Sequence, residues 1–219
     1  MTSGMRRGKF VTFEGIEGVG KSTNIAHLVT RIEATGHSVL QTREPGGTPA
    51  AEAVRRIVLG ASGESVPPMA ELLLMFAARS LLVDNVIRPA LAEGRWVVSD
   101  RFVDASRAYQ GGGRGLPAER IEALAGWILD GLVPDLTILL DAPVATGQAR
   151  TRARGTPDRL DAESLAFHER VRAAYLDLAR REPARFVVVD AGGDQDSVRR
   201  AIDAVADRLL GLEPDVQNR

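Results

Sequence analysis

A doubly wound α/β fold, with a five-stranded parallel sheet flanked by helices on both faces, is predicted by three features of the 219-residue sequence. Five short apolar runs are spaced along it, and several are nearly continuous, as strands buried on both faces must be. Helix-length segments with apolar residues at three- and four-residue spacing separate them. A glycine-rich loop joins the first apolar run to the first such segment.

The strands read in order as Phe10 to Phe13, Ser38 to Thr42, Trp96 to Ser99, Leu136 to Leu140 and Phe186 to Val189. Gly, Pro, Asp or Arg bounds each. The helical spacing picks out Ser22 to Ala34, Met69 to Glu93, Pro117 to Leu132, Leu165 to Arg181 and Val198 to Leu210. Strand–helix alternation of this kind implies right-handed crossovers between parallel strands. There is no internal repeat, low-complexity block or interdomain linker, so a single domain over 1–219 is expected. Its core is about 9–211, with loose tails at 1–8 and 212–219.

Composition narrows the chemistry. A formal net charge of −1 gives no global attraction for a nucleic-acid polymer. The chain has no Cys, which excludes disulfides, zinc–thiolate sites and a catalytic thiol. Its three His (His27, His37 and His168) lack the spacing of a metal site. The apolar runs are too short to span a bilayer, and Met1 to Phe10 lacks the apolar stretch of a secretory signal, so a cytoplasmic protein is expected. Only Lys9 and Lys21 interrupt an otherwise all-Arg set of 28 basic residues. Each Lys therefore asks for a reason.

One reason is clear. Gly15-Ile16-Glu17-Gly18-Val19-Gly20-Lys21-Ser22 fits G-x-x-x-x-G-K-[ST] and sits between a predicted strand and a predicted helix. Such a loop turns its backbone N–H groups onto phosphate oxygens, and the helix behind it presents its positive end. Lys21 then reaches the β and γ oxygens of ATP, and Ser22, followed by Thr23, supplies a hydroxyl for Mg²⁺. The loop predicts a P-loop NTPase fold. No Asn-Lys pair occurs, so a guanine-reading N-K-x-D is absent. The third strand ends in Asp100-Arg101, which suits a small kinase: the Asp near Mg²⁺, the Arg neutralising the phosphates that must meet.

Several further motifs stand in register. Thr42-Arg43-Glu44-Pro45-Gly46-Gly47-Thr48, Met75-Phe76-Ala77-Ala78-Arg79, Asp100-Arg101-Phe102, Ala108 to Gly115, Pro134 to Thr137 and Asp158-Arg159 together resemble bacterial thymidylate kinase from about Phe10 to Ala191. The resemblance implies phosphorylation of dTMP to dTDP by ATP·Mg²⁺ in a homodimer, and the apolar Leu72 to Leu82 segment is one candidate for the contact. It places Glu17 on the sugar 3′-hydroxyl, which explains a carboxylate in a loop that should otherwise repel phosphate. Arg79 would read the thymine edge and Arg101 would grip the acceptor phosphate, with Arg55 as a second phosphate contact. Pro45 would line the acceptor pocket, Ser106 and Gln110 would be polar groups near the base, and Tyr109 would crowd the sugar 2′ position. A cis peptide is expected at Glu44–Pro45. Arg43 beside it serves either the pocket or an ion pair with a neighbouring acid.

One position departs from the family pattern. The residue four before Arg79, which usually stacks on thymine, is Met75, with Phe76 beside it; either one stacks here. The resemblance also implies a lid over about 145–160, with Arg150 on adenine and Arg152, Arg154 and Arg159 free to reach the ATP phosphates. The P-loop lacks the Arg that some members carry after the acidic residue, so the lid must supply that charge. No general base is nominated. The alternatives are a kinase for another monophosphate, or a regulatory protein that binds nucleotide without turnover.

Overall fold

The computed structural model describes residues 7–60, 65–155 and 158–212. Residues 1–6 and 213–219 of the expected tails 1–8 and 212–219, and Thr156 and Pro157 of the expected lid, lie outside these, as does the side chain of Arg154. In chain order the elements are β1 (Phe10–Glu14), α1 (Lys21–Glu33), β2 (Val39–Arg43), α2 (Pro49–Val58), α3 (Pro68–Leu82) and α4 (Arg88–Ala92). Then follow β3 (Trp96–Asp100), α5 (Val103–Ser106), α6 (Ala118–Leu129), β4 (Leu136–Asp141), α7 (Val144–Arg154), α8 (Leu165–Arg181), β5 (Phe186–Asp190) and α9 (Gln195–Leu210).

The five strands form one parallel sheet in the order β2-β3-β1-β4-β5. The chain leaves β1 for the β2 edge, returns to β3 beside β1, and crosses to β4 on the other side. The carboxyl ends of β1 and β3 therefore flank a topological switch point, where α/β sheets hold their ligands. Alternation along β1 splits the core in two. Phe10 joins Leu72, Phe76, Val97 and Ile121 on one face, while Val11 and Phe13 join Ile25, Leu28, Ile138 and Ile202 on the other.

The helix ends follow local chemistry. Thr48 accepts a hydrogen bond from Ala51 N with Pro49 at the first position of α2, Ser164 caps α8 through Phe167 N, and Asp194 caps α9 through Ser197 N. Gly20, before α1, provides no side-chain cap, which leaves the first N–H groups of that helix for an anion.

Three departures from the sequence reading have physical causes. The predicted Met69–Glu93 helix is continuous but passes through a π-helical turn at Val83–Ile87 between α3 and α4. Pro89 has no N–H to offer Asn85, which interrupts the regular ladder there. The helix α2 is not among the segments the spacing picks out. Nor is the π-helical stretch Arg107–Gly113 that extends α5, because Gly111-Gly112-Gly113 argues against helix. Here glycine is required by packing. A Cβ on Gly112 would come within 2.5 Å of Ala174 Cβ and one on Gly113 within 2.5 Å of the Phe167 ring, so α8 could not lie against this segment.

The last two residues of the expected tail 1–8 are held by the fold. Gly8 N donates to Leu91 O at 3.0 Å and is buried, and Arg7 pairs with Asp135. Lys9 finds its reason here too: Nζ donates to Leu209 O at 2.6 Å, near the carboxyl end of α9, and lies over the Trp96 ring. No described helix is long and apolar enough to cross a membrane.

Candidate active site

The phosphate loop runs from the end of β1 into α1. Gly18 has φ 77°, and a Cβ there would lie 2.0 Å from Gly147 O, so no other residue fits between the loop and α7. Lys21 Nζ donates to Gly15 O (3.2 Å) and Ile16 O (3.0 Å). Burial, with Arg101 beside it, lowers the Lys21 ammonium to about 8, against the pull of Asp100, Glu17 and Glu14. Ser22 and Thr23 are exposed on the first turn of α1.

Arg101 is the hub. Its backbone is left-handed (φ 72°), a conformation strained for a side chain of this kind. Three bonds hold it: Arg101 N to Phe13 O (2.9 Å), Ser99 Oγ to Arg101 O (2.7 Å) and Phe102 N to Glu14 Oε1 (2.8 Å). The guanidinium donates through one terminal nitrogen to Gly15 O (3.0 Å) and the Tyr175 hydroxyl (3.1 Å). Through the other it donates to Glu17 Oε1 (2.9 Å) and the Tyr109 hydroxyl (3.1 Å). Tyr109 in turn donates to Glu17 Oε1 at 2.6 Å. The chain has two Tyr, and both hydroxyls converge on this one guanidinium. Burial works to raise the Glu17 carboxyl, but Arg101 and Lys21 hold it below the ordinary range. The carboxylate in the phosphate loop is thus matched by cations.

Beside this hub opens a cavity of about 260 Å³ between the phosphate loop, α3 and the π-helical stretch. Glu17, Lys21, Ser22, Pro45, Arg55, Met75, Asp100, Arg101, Tyr109 and Gln110, all singled out from sequence, line it. Glu44–Pro45 is cis, as expected. Arg55 donates to Pro45 O at 2.9 Å. Arg43 lines the cavity and also makes an ion pair with Glu52 at 2.8 Å.

Three expected acceptor residues do not line it. Phe76 is turned into the core, because adjacent helical residues point about 100° apart and Met75 takes the cavity side. Of the two candidates for stacking, only Met75 borders the cavity. Arg79, 1% exposed, lies behind the wall. Its guanidinium donates to Glu44 Oε2 (2.8 Å), Ser106 Oγ (3.1 Å) and Phe102 O (3.1 Å), and rests 4.5 Å from the Phe76 ring. Ser106 is fully buried as one of its acceptors. Burial raises the Glu44 carboxyl even with Arg79 against it.

On the nucleotide side, Arg150 of α7 donates to Ala191 O (2.9 Å) and Gly193 O (3.3 Å). With Gly18, Val19, Gly20, Thr23 and Ala191 it bounds a cavity of about 110 Å³. Arg152 is exposed, donates to Gln148 Oε1 at 3.3 Å, and borders another cavity with Ile16 and Glu17. Arg159, expected to reach the ATP phosphates from the lid, lies beside α2 and α3 in this structure. It donates to Val58 O (2.8 Å) and forms an ion pair with Glu71 of α3, whose buried carboxylate it helps to neutralise.

Sequence reasoning passed over four buried groups. Glu14 accepts from Phe102 N and from the Tyr175 hydroxyl (2.7 Å), so it braces Arg101 twice. Burial, and then the charge of Asp104, push its carboxyl up to about 8. A lone acid closing an apolar strand was the available signal. Glu71, inside the apolar run of α3, offered the same signal. Tyr175 and His168 on α8 carried none, since single aromatic residues at helical spacing usually read as core.

A metal site can be tested on the oxygens present. Asp100 Oδ1 is buried without a partner, and Asp100 and Ser22 border the same cavity. Among the described residues no group of three or more His, Asp or Glu could hold a metal. A sparse set of hard oxygen donors suits Mg²⁺, which takes one or two protein ligands and otherwise uses phosphate and water.

Comparison with known proteins places the fold and site in context. The family model for thymidylate kinase matches residues 13–202. The thymidylate kinase of Caulobacter vibrioides is 50% identical over 208 residues, covering 95% of this chain and all of that protein. That of Methylococcus capsulatus is 55% identical over 206 residues, covering 94% and 98%. The crystal structure of thymidylate kinase from Ehrlichia chaffeensis superposes with a TM-score of 0.73 at 31% identity, covering 93% of this chain and 99% of that one. The chain belongs to the thymidylate kinase family.

Proposed function

We propose that the chain transfers the γ-phosphoryl group of ATP, bound with Mg²⁺, to a phosphate oxygen of dTMP, giving ADP and dTDP. The bond between the γ phosphorus and the β–γ bridging oxygen breaks as the new bond to the acceptor oxygen forms. Such transfer asks the protein for alignment and charge rather than covalent chemistry. The observation that carries this reading is the Glu17–Arg101–Tyr109 cluster. It lies against the phosphate loop and opens into the acceptor cavity, so a monophosphate on Arg101 faces a triphosphate on Lys21.

Lys21 and the loop N–H groups of Gly15, Gly18 and Gly20 hold the β and γ phosphates, and Arg150 packs on adenine. Arg101 and Arg55 hold the acceptor phosphate, Glu17 the 3′-hydroxyl, and Met75 the thymine face. Asp100 and Ser22 are the residues that would hold Mg²⁺, which screens the phosphate charge when bound. Arg152 and Arg154 of the lid, about 145–160, supply the remaining positive charge. The chain acts as one catalytic domain in the cytoplasm. We assign its homodimer contact to the exposed Leu73 of α3 and Trp127 of α6, 51% and 80% accessible. Leu72 and Leu82, at the ends of the segment first considered, face the core.

A coupled assay of ADP release with dTMP, ribo-TMP, dCMP and dUMP tests the assignment. The expected order places dTMP first, and Lys21→Ala abolishes turnover while leaving the melting temperature near wild type. Equal efficiency on dCMP, or an active Lys21→Ala enzyme, sinks it.

A further inference from the structure

The acceptor cavity contains a buried carbonyl that nothing in the protein satisfies. Gln110 is fully buried on the π-helical stretch and lines the cavity, and its Oε1 has no hydrogen-bond partner. Its Nε2 donates to Glu71 Oε1 at 2.8 Å. Glu71 is itself fully buried, and three guanidinium contacts surround it: Arg114 Nε (3.3 Å), the Arg114 terminal nitrogen (3.1 Å) and Arg159. Burial works to raise the Glu71 carboxyl, but Arg159, Gln110 and Arg114 hold it below the ordinary range.

An ionised carboxylate can only accept. The Gln110 carboxamide therefore has one tolerable orientation. Turned over, its carbonyl would face the Glu71 carboxylate, acceptor against acceptor, in a dry site. Held as it is, the same group directs an acceptor into the cavity. Arg79, the other group expected at the base edge, spends its N–H groups on Glu44, Ser106 and Phe102.

We propose that Glu71, which touches no ligand, is a positioning residue that fixes the Gln110 carbonyl toward the cavity and so selects a base with an N–H on its ring edge. Thymine and uracil are imides and offer that N3–H. Cytosine presents a lone pair at N3, which would oppose Gln110 Oε1 and leave both unsatisfied. The inference rests on the reading of this cavity as the dTMP site and adds to it the device that sets its polarity.

The test compares dTMP with 5-methyl-dCMP, which keeps the methyl group and changes the hydrogen-bonding edge. The ratio of kcat/KM for the two is measured in wild type, Glu71→Gln and Gln110→Leu. In Glu71→Gln, Arg114 and Arg159 should hold the new amide oxygen, so its NH₂ faces Gln110 and turns the Gln110 amide over. The ratio should then fall by about tenfold or more, with efficiency on 5-methyl-dCMP rising. A purely structural loss would lower both substrates together. If Gln110→Leu leaves the ratio unchanged, the base does not meet Gln110 and the reading of the cavity fails. If Gln110→Leu lowers the ratio while folded Glu71→Gln keeps it within about twofold, the role given to Glu71 fails alone. Should Glu71→Gln not fold, nuclear magnetic resonance of the wild-type enzyme decides. On dTMP binding the Gln110 side-chain carbonyl carbon should shift and its NH₂ group should not; the reverse pattern overturns the proposal.

Discussion

The two halves of the active site are built differently. On the acceptor side most of the cations are paired with acids that are buried or partly buried, while Arg55 bonds to the Pro45 carbonyl. Arg79 is paired with Glu44, Arg101 with Glu17, and Arg114 and Arg159 with Glu71. On the nucleotide side Arg150 bonds to two backbone carbonyls, and exposed Arg152 bonds to the neutral amide of Gln148. The difference follows the chemistry. The acceptor must be recognised by shape and hydrogen-bond polarity, which needs groups fixed in advance. Transition-state charge needs cations that are still free to meet phosphate.

If the acceptor side is held by paired buried charges, removing one partner should have the largest effect in the molecule. Arg79→Leu leaves the Glu44 carboxylate buried with no guanidinium. The expected cost is about 3–5 kcal/mol of folding stability, read from urea denaturation. A loss below about 1 kcal/mol, the scale of an exposed pair, would mean that the wall is not held by charge pairing.

Glu14→Gln sharpens the same point through pH. The folded carboxyl titrates near 8 against an ordinary value of 4.5. Between those values the native state holds a proton that the unfolded chain has released, so stability from this group is full below about 4.5 and is lost as pH rises through 8. Wild type should therefore lose stability relative to Glu14→Gln between pH values of about 5 and 8. Urea midpoints that run parallel for the two proteins over that range would show that Glu14 is not the group responsible.

Much of this was legible in the sequence, and the exceptions share a cause. All five strands lie where the apolar runs put them. The inner strands β1, β3 and β4 are buried along nearly their whole length and leave a direct composition signal, while the edge strands β2 and β5 are marked by shorter apolar runs between turn residues. The phosphate loop is equally plain, since its chemistry depends on backbone and on residues adjacent in the chain. Direction is harder to read. Met75 and Phe76 are equivalent as letters, and only the helix rotation sends one to the cavity and the other to the core. Arg159 stands among the expected lid residues, and nothing in that stretch of sequence points to an ion pair with α3. Its partner, Glu71, is 88 residues away. Glu14 and Tyr175 are 161 residues apart and meet only once the fold exists.

The two designs separate within one short segment, the proposed lid. Arg152 and Arg159 are seven residues apart, yet the first borders the phosphate loop and the second braces the acceptor wall through Glu71 and Val58. Their loss should divide accordingly. Arg152→Ala removes a cation proposed to meet the phosphates mainly in the transition state, so kcat should fall about tenfold, with KM for dTMP nearly unchanged. Arg159→Ala loosens the Glu71 cluster that orients Gln110, so KM for dTMP should rise while kcat changes less. Steady-state kinetics at saturating ATP would check both. If Arg159→Ala instead lowers kcat and spares KM, its ion pair with Glu71 is released during turnover, and Arg159 belongs with the phosphate-facing cations after all.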